Sequence, residues 1–484
     1  MATPFSQTSH IALGLFISLL LISLMMGVII NKVDYLIIFG IIGGIFVFIL
    51  SFVNVQFAVY ILIFATLLSP EFGSRSTSGS GVTVRVDDFI LILICFAQLT
   101  KSALYERVGL FSWTPLNRYI NAYILICLVS TITGALFGRG SPISGFFFTA
   151  KYYQYFVIYF MVINNLDSKK QARGYLVAIL ITATIVSFVA MSQIPGGGRV
   201  SAPFEGESGE PNTLGGYLVL MTSLVGGLLL TPKAVEKYTL QMMLYGLMGI
   251  MFIIILFTLS RATWLSAVPV AIMFWIFSRQ KIMFTAVAVG GMALAPLLMP
   301  DTVVERLLYT TEKQQNKWAL AQQEQIGGMT FDTSSSARIK SWKNAVEAIP
   351  AHPIIGWGVN GWRFIDAQYF KVIVETGILG FTAFILLLYN ILKQSWRMYR
   401  TGKDPLFKGV ALGMFIGTIA MICHATVTNT FIIVRIMEPF CLILAIVIGI
   451  PQLEEAEKLE EEKKEQEAEA EPTKNWRQLA KERV

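Results

Sequence analysis

The sequence predicts an all-α, polytopic membrane helical bundle of about 12–14 transmembrane helices, because apolar runs of roughly 20 residues, long enough to cross a bilayer, recur along it. Two further observations agree. The chain is 55% hydrophobic and 14% charged, and its charge stays sparse until the C-terminal tail. A transmembrane β-barrel would instead show alternating segments of about ten residues, and a soluble domain would show amphipathic alternation rather than unbroken runs.

Spans are expected near residues 11–30, 35–52, 55–69, 88–104, 118–137, 147–164, 174–192, 213–230, 240–259, 262–278, 282–299, 368–392, 407–427 and 431–450. The first run, Ile11–Ile30, is longer than the apolar core of a secretory signal and lacks a small-residue cleavage site. A second span follows it almost at once, so it reads as a transmembrane helix. Cys95, Cys127, Cys423 and Cys441 all fall inside apolar spans, where cysteine behaves as a small hydrophobe. They offer neither a disulfide framework nor a zinc spacing. His10, His352 and His424 are scattered, so no metal site and no cofactor is expected.

Orientation follows from the basic residues. One alternate set of connections holds Lys101, Arg107 and Arg118, then Lys169, Lys170 and Arg173, then Lys233 and Lys237. Arg279 and Lys281 follow, and then Lys393, Arg397, Arg400, Lys403 and Lys408. The other short connections hold at most two basic residues each. The positive-inside rule makes the first set cytoplasmic, with both termini inside. Segments 70–87, 138–146, 193–212, 300–366 and 428–430 then lie outside. The division is residues 1–192 as N-terminal transmembrane helices, 193–450 as a region holding the outer loop 300–366, and 451–484 as a charged cytoplasmic tail.

Segment 300–366 is too long for a simple connector. Gln314–Gln325 reads as a polar helix. Ser334–Ile349 reads as a second, capped by its serines, with Ala337, Ile339, Trp342, Val346 and Ile349 as an apolar side resting on the bundle. The tail Leu453–Glu471 has helix-forming composition with almost no apolar stripe and reads as a solvated helix or a disordered tail, with a docking site as the alternative.

The chemically suggestive residues lie in or beside the outer set. Arg261 interrupts an apolar stretch. It either snorkels to headgroups or offers a guanidinium fork to a diphosphate, which lysine cannot match. Arg338 is a surface residue of the loop helix or a second such fork. Asp366, where the loop returns to the membrane, is a helix N-cap, a proton acceptor for a sugar hydroxyl, or both. Glu375 falls about two turns inside a span and needs a partner or a proton; it reads as a structural hydrogen-bonding residue or a supporting site residue.

In the outer loop before the eighth span, Arg199, Glu205 and Asn212 are turn and helix-start residues or contacts to glycan and phosphate. Asp87 and Asp88 either cap a helix or bind a metal, capping being the simpler account. His424 is a lone histidine among apolar residues, read as a satisfied core group or a supporting site residue. Arg435 and Glu438, three apart, are expected to pair.

Three local patterns resemble the O-antigen ligase and polymerase family of bacterial membrane proteins, often called Wzy_C-like. Leu259-Ser260-Arg261-Ala262-Thr263-Trp264-Leu265 is similar to the family's S-R-[GA]-x-[WL]-L run. Ser336-Ala337-Arg338, Trp342 and His352-Pro353-Ile354-Ile355-Gly356-Trp357-Gly358-Val359-Asn360 resemble its arginine–tryptophan motif and the glycine-rich turn that follows. Tyr369-Phe370 with Val374-Glu375-Thr376-Gly377-Ile378-Leu379-Gly380 resembles its E-x-G-[IL]-[IL]-G run. Glu210-Pro211-Asn212 before Leu214-Gly215-Gly216-Tyr217 is a weaker fourth likeness. Together these cover about residues 195–450.

The resemblance implies a metal-independent, GT-C-like glycosyltransferase in the bacterial inner membrane, with its site on the periplasmic face. It implies an undecaprenyl-diphosphate-linked glycan as donor, a lipid or glycan as acceptor, surrounding membrane lipids, and no nucleic acid. Arg261 and Arg338 match arginines implicated in diphosphate binding, and Arg199 and Asn212 are further candidate contacts. The chain departs from the ligase pattern in having Asp366 where a histidine is proposed to activate the acceptor, and Ala367 where asparagine is common. That departure leaves a ligase-like transferase and a repeat-unit polymerase both open. A transporter of an anionic solute is the rival class, although no internal repeat supports it.

Overall fold

In a computed structural model, residues 35–72, 84–104, 112–203, 209–286, 289–290, 302–304, 325–326, 329–330 and 332–470 are described. The spans expected at 11–30 and 282–299, the polar helix expected at Gln314–Gln325, Glu205 and the end of the tail lie wholly or largely outside them.

The helices, in order, are α1 (Tyr35–Val53), α2 (Val55–Leu68), α3 (Val86–Leu104), α4 (Asn117–Leu136), α5 (Pro142–Asn164), α6 (Lys169–Gln193), α7 (Pro211–Leu230), α8 (Tyr238–Phe257), α9 (Arg261–Phe277), α10 (Thr333–Ala348), α11 (Gln368–Thr401), α12 (Pro405–His424) and α13 (Val434–Ala470). Two short antiparallel hairpins join them, β1 (Glu71–Phe72) with β2 (Val84–Arg85) and β3 (Gln325–Ile326) with β4 (Met329–Thr330). Every span expected on described residues coincides with a helix. Eight of these helices, α4–α8 and α11–α13, are long and apolar enough to cross a membrane, and α1, α2 and α9 include shorter apolar helices.

Local chemistry sets the boundaries. Pro142, Pro211 and Pro405 each occupy a first helical position, where the missing N–H costs nothing. Ser168 caps α6, Ser260 caps α9 and Asp404 caps α12 by accepting first-turn amides.

Contacts group the chain into two units, residues 1–58 with 89–108 and residues 59–88 with 109–484. In the first, α1 packs on α3 through Gly44 against Leu93 and Phe48 against Phe96. In the second, α7 is buried almost throughout and lies against α12. A Cβ on Gly227 would collide with the backbone of Gly409 and Gly413, and one on Gly413 with that of Ser223 and Leu224. Small residues four apart let helix backbones approach closely where lipid supplies no hydrophobic drive.

α11 is broken inside. Gly377 has φ 65° and ψ −168° and divides it into two rods, and the segment 353–358 lies in the gap. Trp357 N donates to Val374 O and Gly358 N to Glu375 O, both at 2.9 Å, while Ile378 N donates to Pro353 O at 2.8 Å. Ser130 of α4 donates to Glu375 O and Ile355 O. The backbone groups freed by the break are thus satisfied inside protein, the condition for irregular backbone at membrane depth.

Three expectations need correction. Arg435 and Glu438 do not pair, because each finds a better-placed partner. Arg435 donates to the carbonyls of Pro203, Ser69 and Leu67, and Glu438 accepts from Gln154. α10 is capped by Asp332 rather than by its serines. Its packed side is Trp342, Ala345, Ala348 and Ile349, whereas Ala337 and Val346 face outward.

Asp87 and Asp88 serve the start of α3. Asp88 accepts Arg85 N and the Lys151 ammonium, and Asp87 pairs with Arg85 and Ser69. The tail prolongs α13 through Ala470. Glu454 accepts the amides of Lys403 and Asp404, and Glu457 pairs with Lys169.

Candidate functional site

Four segments far apart in sequence meet at the end of the bundle away from that tail: the start of α9, the loop helix α10, the approach to α11 and the α12–α13 turn. Ser260, the cap of α9, donates to Asn212 Oδ1 at the start of α7 at 2.6 Å. The next residue, Arg261, reaches α10. Its Nη2 donates to Asp332 Oδ2 at 2.7 Å, and its Nη1 donates to Asp332 Oδ1 and Ser335 Oγ at 3.1 Å. Burial pushes the Asp332 carboxyl up, but the bonds from Arg261 and Ser335 outweigh it and hold the group below the usual carboxylate range.

One turn further along α10, Arg338 Nε donates to Asp366 Oδ2 at 2.9 Å. Trp342 Nε1 donates to the Asp366 carbonyl at 2.8 Å, and the Trp342 ring stacks on Phe370. Asp366 is therefore not the cap of α11, since Ala367 holds that position and no side chain caps it. The first amide of α11, Gln368 N, instead donates to the carbonyls of Ala425 and Thr428. With that duty removed, the Asp366 carboxylate is spent on Arg338 through one oxygen.

The α12–α13 turn completes the set. Asn429 donates to Ile365 O at 2.7 Å, which ties this turn to the residue before Asp366. His424 is fully buried, with its Nδ1 between the hydroxyls of Thr430 at 2.7 Å and Thr428 at 3.0 Å. Its Nε2 has no hydrogen-bond partner among the described residues. Arg199 lies beside the same region, donating from Nε to Thr258 O at 3.3 Å.

Of the residues singled out in the sequence, Arg338 and Asp366 come together, Arg261 joins them through α10, and His424 stands at the α12–α13 turn that Asn429 ties to Ile365. Arg199 and Asn212 border the group on the α8–α9 junction and α7. Glu375 stands apart, in the first rod of α11, paired with Lys371.

Sequence reasoning missed Asp332 as the partner of Arg261 and Asn429 as the tie to Ile365. A signal for the first exists in Asp332-Thr333-Ser334-Ser335, an N-cap residue followed three places later by the amide it accepts. The Lys371–Glu375 spacing of four was readable in the same way. Nothing local announces Asn429.

Among the described residues no cluster of histidine, cysteine, aspartate and glutamate could hold a metal ion. The arrangement offers one guanidinium bound through Nε to a carboxylate, a second fork held by a buried aspartate, and a buried imidazole nearby. Cations at the mouth of a membrane bundle suit an anionic, lipid-borne ligand.

Residues 246–385 match the family described as O-Antigen ligase. The matched stretch holds Arg261, Asp332, Arg338, Asp366 and Glu375, and leaves Arg199, Asn212 and His424 outside. It is narrower than the 195–450 over which the local patterns were traced. No curated protein matches the chain.

Proposed function

With an O-antigen ligase-like region across residues 246–385 of a polytopic helical membrane protein as the premise, we propose a glycosyltransferase that moves a glycan from an undecaprenyl-diphosphate carrier to an acceptor hydroxyl on the outer face of the bacterial inner membrane. The observation that carries this reading is the Arg338–Asp366 pair. Nε of Arg338 is used by Asp366, and its two terminal nitrogens carry no hydrogen bond among the described residues. That part of the guanidinium is available to two phosphate oxygens at once.

Arg261 serves the same diphosphate site through α10. Its fork is held by Asp332 and fixes the start of α10, so Arg338 is presented from an anchored helix. Arg199 and Asn212 line the approach from the α7 side. The second oxygen of Asp366 accepts the proton of an acceptor hydroxyl, which attacks the anomeric carbon from the face opposite the diphosphate. The bond to the diphosphate breaks, and the cations balance the charge that develops on it. His424 supports the site from beneath, fixed by Thr428 and Thr430. No metal is needed for this route, because the diphosphate leaves readily once neutralised.

The test is transfer from purified lipid-linked donor, with donor affinity recorded in parallel and EDTA present. Asp366→Asn should keep an acceptor for Arg338 Nε and bind donor normally, yet lose transfer. Near-normal turnover by that variant would remove Asp366 as base, and loss of turnover with EDTA alone would remove the metal-free route. A polymerase reading of the same site differs in acceptor. A deletion strain with absent long chains favours polymerase, and full chains stranded on the carrier favour ligase.

A further inference from the structure

Glu375 is 4% exposed and sits two residues before the break in α11 at Gly377. Its carboxylate joins three parts of the molecule. Oε1 accepts the Lys371 ammonium at 2.5 Å and the backbone amide of Asn360 at 2.8 Å, and Oε2 accepts the Tyr152 hydroxyl of α5 at 3.3 Å. Lys371 lies on the same rod, so the ion pair itself bridges nothing. What crosses between elements is the acceptance of Asn360 N–H and Tyr152 O–H.

The Asn360 amide belongs to a loop that needs holding. Asn360 has φ 55°, and Gly356 and Gly358 have φ 81° and 97°, all left-handed. A Cβ at Gly356 would strike the backbone of Glu375, so the loop and the first rod of α11 are in direct backbone contact. α10 rests on that loop, with Trp357 Nε1 donating to Ala348 O at 3.0 Å and Trp357 and Trp362 packing under Ala345 and Ala348. α10 in turn carries Arg338 and Trp342, which grip Asp366 from both its carboxylate and its carbonyl. A buried ion pair is poor evidence of stabilisation, since apolar replacements of both partners are often neutral or better. Its presence in a span points to another role.

We infer that Glu375 is a positioning residue: by accepting the Asn360 amide it locks loop 353–361 into the break of α11 and so sets the Arg338–Asp366 pair carried above it. Lys371 keeps that carboxylate in place and compensates its charge. The activity half of this inference rests on the transfer reaction proposed above, and the loop-locking half does not.

Two double variants separate positioning from stability. Lys371→Met with Glu375→Gln removes both charges and retains an oxygen that accepts Asn360 N–H. Lys371→Met with Glu375→Met removes the charges and the acceptor together. Full-length purified protein of each is compared with wild type in donor-to-acceptor transfer.

The first double variant should stay within about tenfold of wild type, and the second should lose about 100-fold, as expected for reacting groups displaced by about 1 Å. In parallel, Val359→Cys, at a position 2% exposed, is placed in each background and its modification by a water-soluble maleimide is followed by mass. It should stay protected in the wild-type and Met/Gln backgrounds and become reactive in Met/Met. Equal protection and equal transfer in the two double variants would overturn the inference. Absence of transfer by the wild type, with the labelling contrast intact, would overturn the transferase reading alone.

Discussion

Asp332 occupies both terminal nitrogens of Arg261, at 2.7 and 3.1 Å, while also capping α10 through Ser335 N. One buried carboxylate thus fastens the loop helix to the bundle and fixes the direction in which Arg261 points. The Asp332 side chain is fully buried and that of Arg261 is 19% exposed, so the pair is shielded from solvent on one side.

Asp332→Ala should cost about 1 kcal/mol through loss of the α10 cap alone, with a further loss from the two Arg261 bonds that Asp332 accepts. The pair should also show in the pH dependence. Asp332 is held below its ordinary value of 3.8, so its contribution is complete above the usual carboxylate range and is lost as pH falls through the depressed value. As pH falls below the usual carboxylate range, the thermal unfolding midpoint of the wild type should therefore fall more steeply than that of Asp332→Asn. Parallel curves would mean that the carboxylate adds nothing beyond the cap.

Arg338→Lys should retain membrane levels and lose about 100-fold in kcat/KM for lipid-linked donor. An ammonium can hold Asp366 or meet a phosphate, but it has no fork with which to do both. The measurement is steady-state transfer at varied donor. Wild-type kinetics would withdraw the diphosphate from this residue.

Gly413→Leu should depress thermal stability by about 1–3 kcal/mol or more, because its side chain enters the Ser223–Leu224 backbone of α7. Gly246→Leu on α8 is the control, since a Cβ there meets nothing within 4 Å. Comparing the monodisperse fraction of both variants after solubilisation checks the assignment of the core, and equal behaviour would contradict it.

Orientation is tested by labelling. Val346→Cys on the outward side of α10, 54% exposed, should react with an impermeant thiol reagent in intact spheroplasts. Glu460→Cys on the α13 extension should react only after permeabilisation. The reverse pattern would invert the topology derived from the basic residues.

The helices were legible because their cause is local. A run of apolar residues partitions into lipid wherever it falls, and prolines and capping residues mark its ends without reference to the rest of the chain. The Lys371–Glu375 spacing and the Asp332 cap are visible on the same grounds. Arg261, Arg338 and Asp366 stood out because charge at a membrane boundary is costly enough to require a reason.

Partnership was another matter. Arg435 and Glu438 have the spacing of a helical pair, yet Arg435 turns to the carbonyls of Pro203, Ser69 and Leu67, and Glu438 to Gln154. Asp366 reads as a helix cap, yet its carboxylate goes to Arg338 from 28 residues earlier. Gly377 reads as one glycine in an apolar span, yet the chain breaks there because segment 353–358 supplies the missing backbone partners.

The sequence by itself determined the helices, their order and the residue types whose placement in a membrane protein demands an explanation. Only the tertiary structure decided which groups those residues meet. Burial of apolar runs depends on composition over a window of some 20 residues, whereas a hydrogen bond forms only where donor and acceptor lie within about 3 Å along a narrow angle. That condition is met by the packing of helices distant in sequence, and local pattern does not encode it.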